Sequence, residues 1–278
     1  MTTTAGLGLK ASHIDEALSS PAVGLWFEVH AENYMVEGGA RLAMLDAARE
    51  ARPLSLHGVG LSLAGHLLPD TAHLRKLKRL ADRFEPFLLS EHLAWSALDG
   101  RAFPDLLPFP RTRDALHVVC RNIDFAQSLL GRRMLIENPS HYLAIEGHDW
   151  SETDFLAEVV RRTGCGLLLD LNNVHVSAHN LGFDARAYLD TFPAHAVGEI
   201  HLAGACADAE LDLLIDNHGA PVADAVWALF DRFVAAHGPR PVLIEWDRDV
   251  PPFAVLLRER DQAARRMAPV KTLERENV

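Results

Sequence analysis

The sequence predicts an α/β protein that folds as a single (β/α)8 TIM barrel, and two observations carry this prediction. Eight short apolar runs, of the kind that form buried parallel strands, alternate with helical segments along the 278 residues. The stretch GLGLK near the start is not the glycine-rich loop GxGxxG that follows the first strand of a dinucleotide-binding open sheet. A barrel is therefore favoured over a doubly wound sheet.

Each element has its own signal in the sequence. We expect strands at residues 7–9, 25–29, 54–57, 87–90, 134–137, 167–171, 197–202 and 242–246. Helical spacing predicts helices over 71–84, 111–130, 151–164 and 222–238. The third of these begins with a Ser-x-x-Asp cap and ends on glycine. No linker or shift in composition marks a domain boundary, so residues 1–278 are expected to form one domain, with a core over about 5–268 and a flexible tail at 269–278.

Composition excludes several classes of partner. The net charge of −11 argues against a nucleic-acid partner, since such proteins usually carry a basic face. No apolar run is long enough to cross a membrane, and the first residues, MTTTAGLGLK, lack the features of a secretory signal. We therefore expect a cytoplasmic protein with no membrane partner. Three isolated cysteines form no CxxC pair, which leaves no support for a zinc ribbon.

Polar side chains end nearly every predicted strand, and the mouth of a TIM barrel brings such strand ends together. In chain order they are Glu28, followed by Glu32 and Asn33, then His57, His92, Glu137, Asp170 with Asn173, His201 and Glu245. The loop DNHGAPV after the seventh strand adds Asp216 and His218. By contrast, His73, His117 and His237 fall in helical surface patterns and are expected to be solvated.

A cluster of this composition indicates bound cations. Taken singly, each residue is more often a hydrogen-bonded core residue or a helix cap than a metal ligand. Together, several carboxylates and histidines in one partly buried mouth would cost several kcal/mol per unpaired charge, and cations remove that cost. Imidazole with carboxylate, without thiolate, suits Fe, Mn or Zn better than Cu(I), and Mg or Ca prefer all-oxygen sites. So many ligands imply about two or three ions, because a catalytic site supplies about three protein ligands per metal. Glu137 and Glu245 are the natural bridging carboxylates.

The ordered motifs of the chain resemble a known family. They are GLGLKASH, FEVHAENYM, LHGVGLSL, SEHLAW, IENPS, LLDLNNVHVSAHN, EIHLAG, DNHGAPV and LIEWD, and they span nearly the whole chain. In these motifs the chain resembles the multinuclear non-heme iron oxidative enzymes, a bacterial family earlier classed as a domain of unknown function.

The resemblance implies a TIM barrel that holds two or three iron ions in mixed Fe(II)/Fe(III) states and uses O2 as co-substrate. It implies oxidative modification of cysteines in a ribosomally synthesised precursor peptide, often with a small peptide-recognition partner protein. It assigns metal ligation to His57, His92, Glu137, Asp170, Asn173, His201, Asp216, His218 and Glu245.

Other residues of these motifs have less definite roles. Glu28, Glu32 and Asn33 are expected to orient substrate or water, and Trp95 and Phe103 to line the mouth. His175 and His179 have no assigned role: they are extra ligands, proton donors or polar groups of the pocket.

Two other classes of function remain open at this stage. A metal-dependent sugar isomerase or an apurinic endonuclease also places histidines and carboxylates at a barrel mouth, and fold alone does not separate them. An isomerase usually has a lysine near its metals, and Lys10 is the chain's only lysine at a strand end; an endonuclease needs a basic surface. A metal-storage or peptide-carrier protein is the alternative that is not an enzyme. The weak neutral ligand Asn173 suits exchangeable positions better than tight storage.

Overall fold

Eight parallel strands close into one barrel, which confirms the predicted fold class. The structure is a computed structural model that describes residues 4–98 and 101–268, without the side chains of residues 98–105. The expected flexible tail at 269–278 lies outside the described residues. The strands in chain order are β1 (Ala5–Gly8), β2 (Phe27–His30), β3 (Leu54–Gly58), β4 (Leu88–His92), β5 (Trp95–Leu98), β6 (Arg101–Leu107), β7 (Leu135–Glu137), β8 (Gly166–Asp170), β9 (Val197–Leu202), β10 (Cys206–Asp208), β11 (Leu213–Ile215) and β12 (Val242–Ile244). Around the barrel the order is β1-β2-β3-β4-β7-β8-β9-β12, and β12 pairs with β1 to close it.

Helices surround this barrel. They are α1 (Ile14–Ser19), α2 (Ala40–Ala51), α3 (Thr71–Phe84), α4 (Arg113–Leu130), α5 (Glu152–Thr163), α6 (Leu171–Leu181), α7 (Ala185–Thr191), α8 (Asp224–His237) and α9 (Phe253–Arg266). The four helices predicted from spacing are present, with ends shifted by at most a few residues. At α5 the hydroxyl of Ser151 accepts the backbone N–H of Asp154, and Gly164 ends the helix at φ 66°. These are the cap and the stop that the sequence predicts.

Two short antiparallel hairpins were not predicted. The first joins β5 to β6 and follows β4; the second joins β10 to β11 and follows β9. Both follow the carboxyl end of a barrel strand, which is the end where the mouth lies. Each strand of the second hairpin has three residues, too few to show the alternation by which strands are recognised.

The register of the barrel strands aligns the polar residues in one layer. Across neighbouring strands His30 pairs with His57, His92 with Glu137, and Asp170 with His201. Leu56 and Ile200, which precede His57 and His201 on their strands, are buried and apolar, whereas Ser55 and Glu199, two residues before the histidines, continue the polar face below this layer.

A buried arginine links the last helix of the barrel to the segments near its first strand. Arg260 of α9, almost fully buried, donates to the backbone carbonyls of Ala5 at 2.8 Å and Val23 at 2.7 Å. Within the described residues, no helix is both long enough and apolar enough to cross a membrane.

Candidate metal centre

Two histidines and one glutamate form the first part of the site. The Nε2 atoms of His57 and His92 each lie 3.3 Å from Oε2 of Glu137 and 3.4 Å from each other. The opposite ring nitrogens are already engaged: Nδ1 of His57 hydrogen-bonds Ser90 at 2.8 Å, and Nδ1 of His92 lies 3.1 Å from the carbonyl of Gly58. Such bonds on the far nitrogen orient a histidine so that the other nitrogen can bind a metal. These three residues therefore present their ligand atoms to one point.

Further ligand atoms extend the site across the mouth. The groups Glu137–Asp170–His201 and Asp170–His218–Glu245 each hold three ligand atoms within 4.8 Å of one another. Glu137 belongs both to the first of these groups and to the pair of histidines, and Asp170 belongs to both groups. A carboxylate shared between groups is the arrangement that bridges two metal ions.

Asp216 and Asn173 contact this cluster. Oδ1 of Asp216 lies 2.8 Å from Nε2 of His218 and also accepts a hydrogen bond from Nδ2 of Asn172 at 2.8 Å. Nδ2 of Asn173 donates to Oε1 of Glu137 at 3.3 Å, while its backbone N–H donates to Asp170 at 2.6 Å. The nine residues predicted as ligands are thus brought together.

The donor atoms fit a metal cluster. Within the described part of the chain, five buried atoms of the predicted ligands make no hydrogen bond of regular geometry: Oε2 of Glu137, Oδ2 of Asp170, Oδ1 of Asn173, Nε2 of His201 and Nε2 of His218. Ion-pair contacts alone reach three of them, at 3.3 Å for Glu137, 3.2 Å for His201 and 2.8 Å for His218. Buried polar atoms are nearly always hydrogen-bonded, and each exception needs an explanation. Cations bound among these imidazole and carboxylate groups would satisfy all five at once.

Burial shapes the charges of the carboxylates. Burial raises the pKa of Glu137 well above its usual range, and the nearby carboxylates of Asp170 and Glu245 raise it further. Burial and the charge of Asp216 raise the pKa of Asp170 to about 7. Protons on these carboxylates are what a bound cation would replace, which couples metal binding to proton release.

The histidines divide into two types. Burial lowers the pKa of His92 to about 4 and holds that of His57 well below its usual range, so both rings are neutral at neutral pH. Burial also opposes charge on His201 and His218, but neighbouring carboxylates, Glu245 among them, outweigh it and raise both pKa values well above the usual range. The same two histidines hold the pKa of Glu245 well below its usual range although burial acts in the other direction.

The structure adds three residues that the sequence interpretation missed. Glu199 is fully buried in β9, with its Oε1 3.7 Å from Nε2 of His201, and both of its oxygens lack a hydrogen bond. Its alternation with His201 was the signal, since residues two apart on a strand face the same side. Burial and the charge of Glu28 raise the pKa of Glu199 to about 8. His30, one residue past the predicted strand end, lies 3.6 Å from Glu245.

Asp247, the third missed residue, supports a predicted ligand. Its Oδ2 lies 2.9 Å from Nδ1 of His218, and its Oδ1 accepts a hydrogen bond from Nζ of Lys10 at 2.6 Å. The bond from His218 lowers the pKa of Asp247 in spite of its burial. Asp247 therefore orients the His218 ring and leaves Nε2 to the cluster.

Glu28, Glu32 and Asn33 occupy three different places. Glu28 is buried beside the cluster, with Oε1 3.2 Å from Nε2 of His201 and Oε2 accepting from Ser55 at 2.9 Å. Glu32 faces away from the metal ligands: its Oε1 accepts from the backbone of Val59 and lies 3.1 Å from Nε2 of His73. The expectation that His73 is solvated is therefore wrong, because the ring is part-buried against Glu32. Asn33 lines a cavity beside the cluster.

The remaining predicted residues lie apart from the ligands. His175 is half-buried and His179 exposed on α6, and among the described residues neither falls in a group that could hold a metal. Trp95 is half-buried in the β5–β6 hairpin. The side chain of Phe103 lies outside the described residues.

A cavity of about 320 Å³ gives access to the cluster, and we call it the metal-side cavity. It lies at the carboxyl ends of β1, β2 and β12. Its lining includes Glu28, His30, Asn33, Tyr34, Lys10 and Glu245. Glu245, a predicted ligand, forms part of its wall, so the cavity leads to the cluster.

Solved structures share the fold at low sequence identity. Endonuclease IV from Thermus thermophilus matches with a TM-score of 0.59 and 19% identity over 94% of this chain and 98% of that chain. The apo form of 3-keto-D-glucoside 4-epimerase from E. coli matches with a TM-score of 0.58 and 14% identity over 95% of this chain and 98% of that chain. At such identities the likeness concerns the barrel alone.

Sequence relatives are much closer and cover nearly the whole chain. A UPF0276 protein of Caulobacter sp. strain K31 is 62% identical over 97% of this chain and 98% of its own length. Another, from Caulobacter vibrioides, is 59% identical over 98% of both chains. The family described as RiPP precursor modification enzyme MbnB/TglH/ChrH matches residues 4–268. The chain belongs to this family of enzymes, which modify ribosomally synthesised precursor peptides.

Proposed function

We propose that this protein is an iron- and O2-dependent enzyme that oxidises cysteine residues of a ribosomally synthesised precursor peptide. Two or three iron ions in mixed Fe(II)/Fe(III) states would be held by His57, His92, Glu137, Asp170, Asn173, His201, Asp216, His218 and Glu245. A small peptide-recognition protein is the expected partner.

One observation carries the metal part of this proposal. Within the described part of the chain, five buried atoms of the predicted ligands make no hydrogen bond of regular geometry, and Glu137 and Asp170 are each shared between groups of possible ligand atoms. A single ion does not need this many ligands, whereas two or three ions with shared carboxylates use all of them. Imidazole and carboxylate ligands with open positions suit iron that reacts with O2.

In this proposal, the substrate cysteine binds in the metal-side cavity. When bound, iron would lower the pKa of a cysteine thiol and activate O2. The electrons and protons that leave the cysteine would reduce O2 to water. Gly8 leaves space at the end of β1, where a Cβ atom would meet only the side chain of Lys10, at 3.7 Å. The lining includes Glu245, a predicted ligand, together with His30, Asn33 and Tyr34. A cysteine side chain entering here reaches the ligands from the open side.

The competing functions fit the described residues less well. The ammonium of Lys10 is tied to Asp247 at 2.6 Å, so it is engaged in a salt bridge rather than free for a substrate. The cavity beside the cluster has space for a substrate side chain, which a metal-storage protein does not require.

The reaction is tested with a cysteine-containing precursor peptide, which is to be sought among the short reading frames next to the gene for this chain. Incubation of the iron-loaded protein with O2 and this peptide should change the mass of the peptide at cysteine, through loss of hydrogens or of carbon. A cysteine-to-serine peptide should not react, because a neutral hydroxyl does not replace a thiolate as a metal ligand. Equal turnover of the serine peptide would exclude the proposed role of the thiolate.

A further inference from the structure

A second cavity lies on the outside of the barrel, and we call it the α2–α3 groove. Its volume is about 400 Å³, and it lies between α2, α3 and the segment after β2. Its apolar lining is formed by Tyr34, Met35, Val36, Leu42 and Leu80. Val36 is 42% exposed and so offers an apolar contact surface at the groove.

Basic side chains form the opposite edge of the groove. Lys76, Arg79 and Arg83 all line it, and all three belong to α3. Arg83 is paired with Asp46 at 2.7 Å, but Lys76 and Arg79 are exposed and have no ion pair among the described residues. A concentration of unpaired positive charge stands out on a chain with a net charge of −11.

Two carboxylates also line the groove and partly offset this charge. Asp82 is already engaged by Lys78, at 3.0 Å. Glu37 is exposed and has no ion pair within the described part of the chain. Among the described residues, the groove therefore carries two unpaired positive charges, on Lys76 and Arg79, and one unpaired negative charge, on Glu37.

The groove adjoins the route to the metal centre. Tyr34 lines both the α2–α3 groove and the metal-side cavity. The segment that carries Tyr34 is held on both sides: Glu32 contacts His73 of α3 at 3.1 Å, and Arg41 of α2 donates to the carbonyl of Asn33 at 3.2 Å. One extended chain passing over Tyr34 would occupy both cavities.

We infer that the α2–α3 groove binds a segment of the substrate peptide that carries acidic and apolar side chains, while the cysteine of the same peptide lies in the metal-side cavity. The identity of this ligand as the substrate rests on the proposed function. Apolar side chains of the segment pack on Val36 and Leu80, and its carboxylates pair with Lys76 and Arg79. Because the protein as a whole is acidic, its field repels an acidic peptide elsewhere and favours this basic edge.

Binding is tested with the metal-free full-length protein and a short fluorescein-labelled peptide of glutamate and leucine that contains no cysteine. Fluorescence anisotropy should show tighter binding of this peptide than of a lysine–leucine peptide of equal length, and the difference should shrink at high salt. Reversing both free cations, Lys76→Glu with Arg79→Glu, should weaken binding of the acidic peptide about tenfold, since each exposed pair contributes up to about 1 kcal/mol. Glu37→Gln should tighten binding.

Arg186→Glu with Arg258→Glu is the matched control, because these exposed cations lie on α7 and α9, do not line the groove and have no ion pair among the described residues. This control makes the same change in net charge and should change the affinity less than about twofold, as distant exposed charges do. Equal affinity for the two peptides, or equal loss in the control and in the Lys76→Glu, Arg79→Glu variant, would overturn the inference. Since the probe lacks cysteine and the protein lacks metal, this result is independent of the oxidation chemistry. If the cysteine reaction fails, the inference of peptide binding in the α2–α3 groove still stands. If the peptide does not bind in the groove, the proposed cysteine oxidation still stands.

Discussion

His57 and His92 each use one ring nitrogen to hold the ring and keep the other for the cluster. Their Nδ1 atoms meet Ser90 and the carbonyl of Gly58, and His218 is held in the same manner by Asp247. The members of the cluster could be predicted from sequence because each lies at or just after a strand end. Their supports could not, because Ser90 and Asp247 are ordinary polar residues until the fold places them beside a histidine.

At the same scale, Glu137 and Asp216 are expected to differ in importance. Glu137 belongs to two groups of ligand atoms, whereas the only predicted ligand that Asp216 pairs with directly among the described residues is His218. We therefore expect Glu137→Ala to lose more metal than Asp216→Ala, which should empty about one position, as His218→Ala should. Metal content per chain by mass spectrometry measures this, with circular dichroism to check the fold of each variant. Equal iron occupancy in Glu137→Ala and the unaltered protein would refute the bridging role.

Among the elements, strand register and helix caps together position the site. The parallel register sets His92 beside Glu137 and Asp170 beside His201, so that residues far apart in sequence share one layer. Asp170 also caps α6 by accepting the N–H of Asn173. The four helices that were predicted, α3, α4, α5 and α8, have apolar faces that are local signals, whereas α1, α2, α6, α7 and α9 were not predicted. The β10–β11 hairpin was missed because three-residue strands carry no local pattern.

The start of α5 is held by a buried ion network that we expect to be important for stability. Glu152 accepts from Tyr188 at 2.7 Å, lies 2.6 Å from Nε2 of His141 and pairs with Arg111 at 3.2 Å. Although burial opposes it, this network lowers the pKa of Glu152, chiefly through His141. Glu152→Gln should reduce the free energy of unfolding by about 3 kcal/mol, because it leaves buried partners without their charge.

Urea denaturation of the metal-free protein measures this loss, and the same helix offers a control. Glu158 also pairs with arginines, but these partners, Arg161 and Arg162, are 69% and 38% exposed, whereas the Arg111 partner of Glu152 is 18% exposed. Glu158→Gln should therefore change stability little, because exposed ion pairs contribute little. Comparable losses in the two variants would mean that burial of the Glu152 network does not matter for stability.

For the whole molecule, the barrel determines where the residues meet and not what they do. Sugar epimerases and endonuclease IV share this barrel at 19% identity or less. The alternation of strands and helices is enough to predict the barrel, and barrel closure then implies that the strand ends converge. Glu199 was missed although it lies two residues before His201, a spacing that places both side chains on the same face of β9.

The central claim is that the mouth of this barrel holds a multinuclear iron centre, and metal analysis of protein purified without oxygen or chelator tests it most directly. The number of shared ligands predicts about two to three irons per chain, with O2 consumed when the iron form is exposed to air. Stoichiometric zinc, with neither iron uptake nor O2 consumption after reconstitution, would contradict the claim and favour a hydrolase or an isomerase.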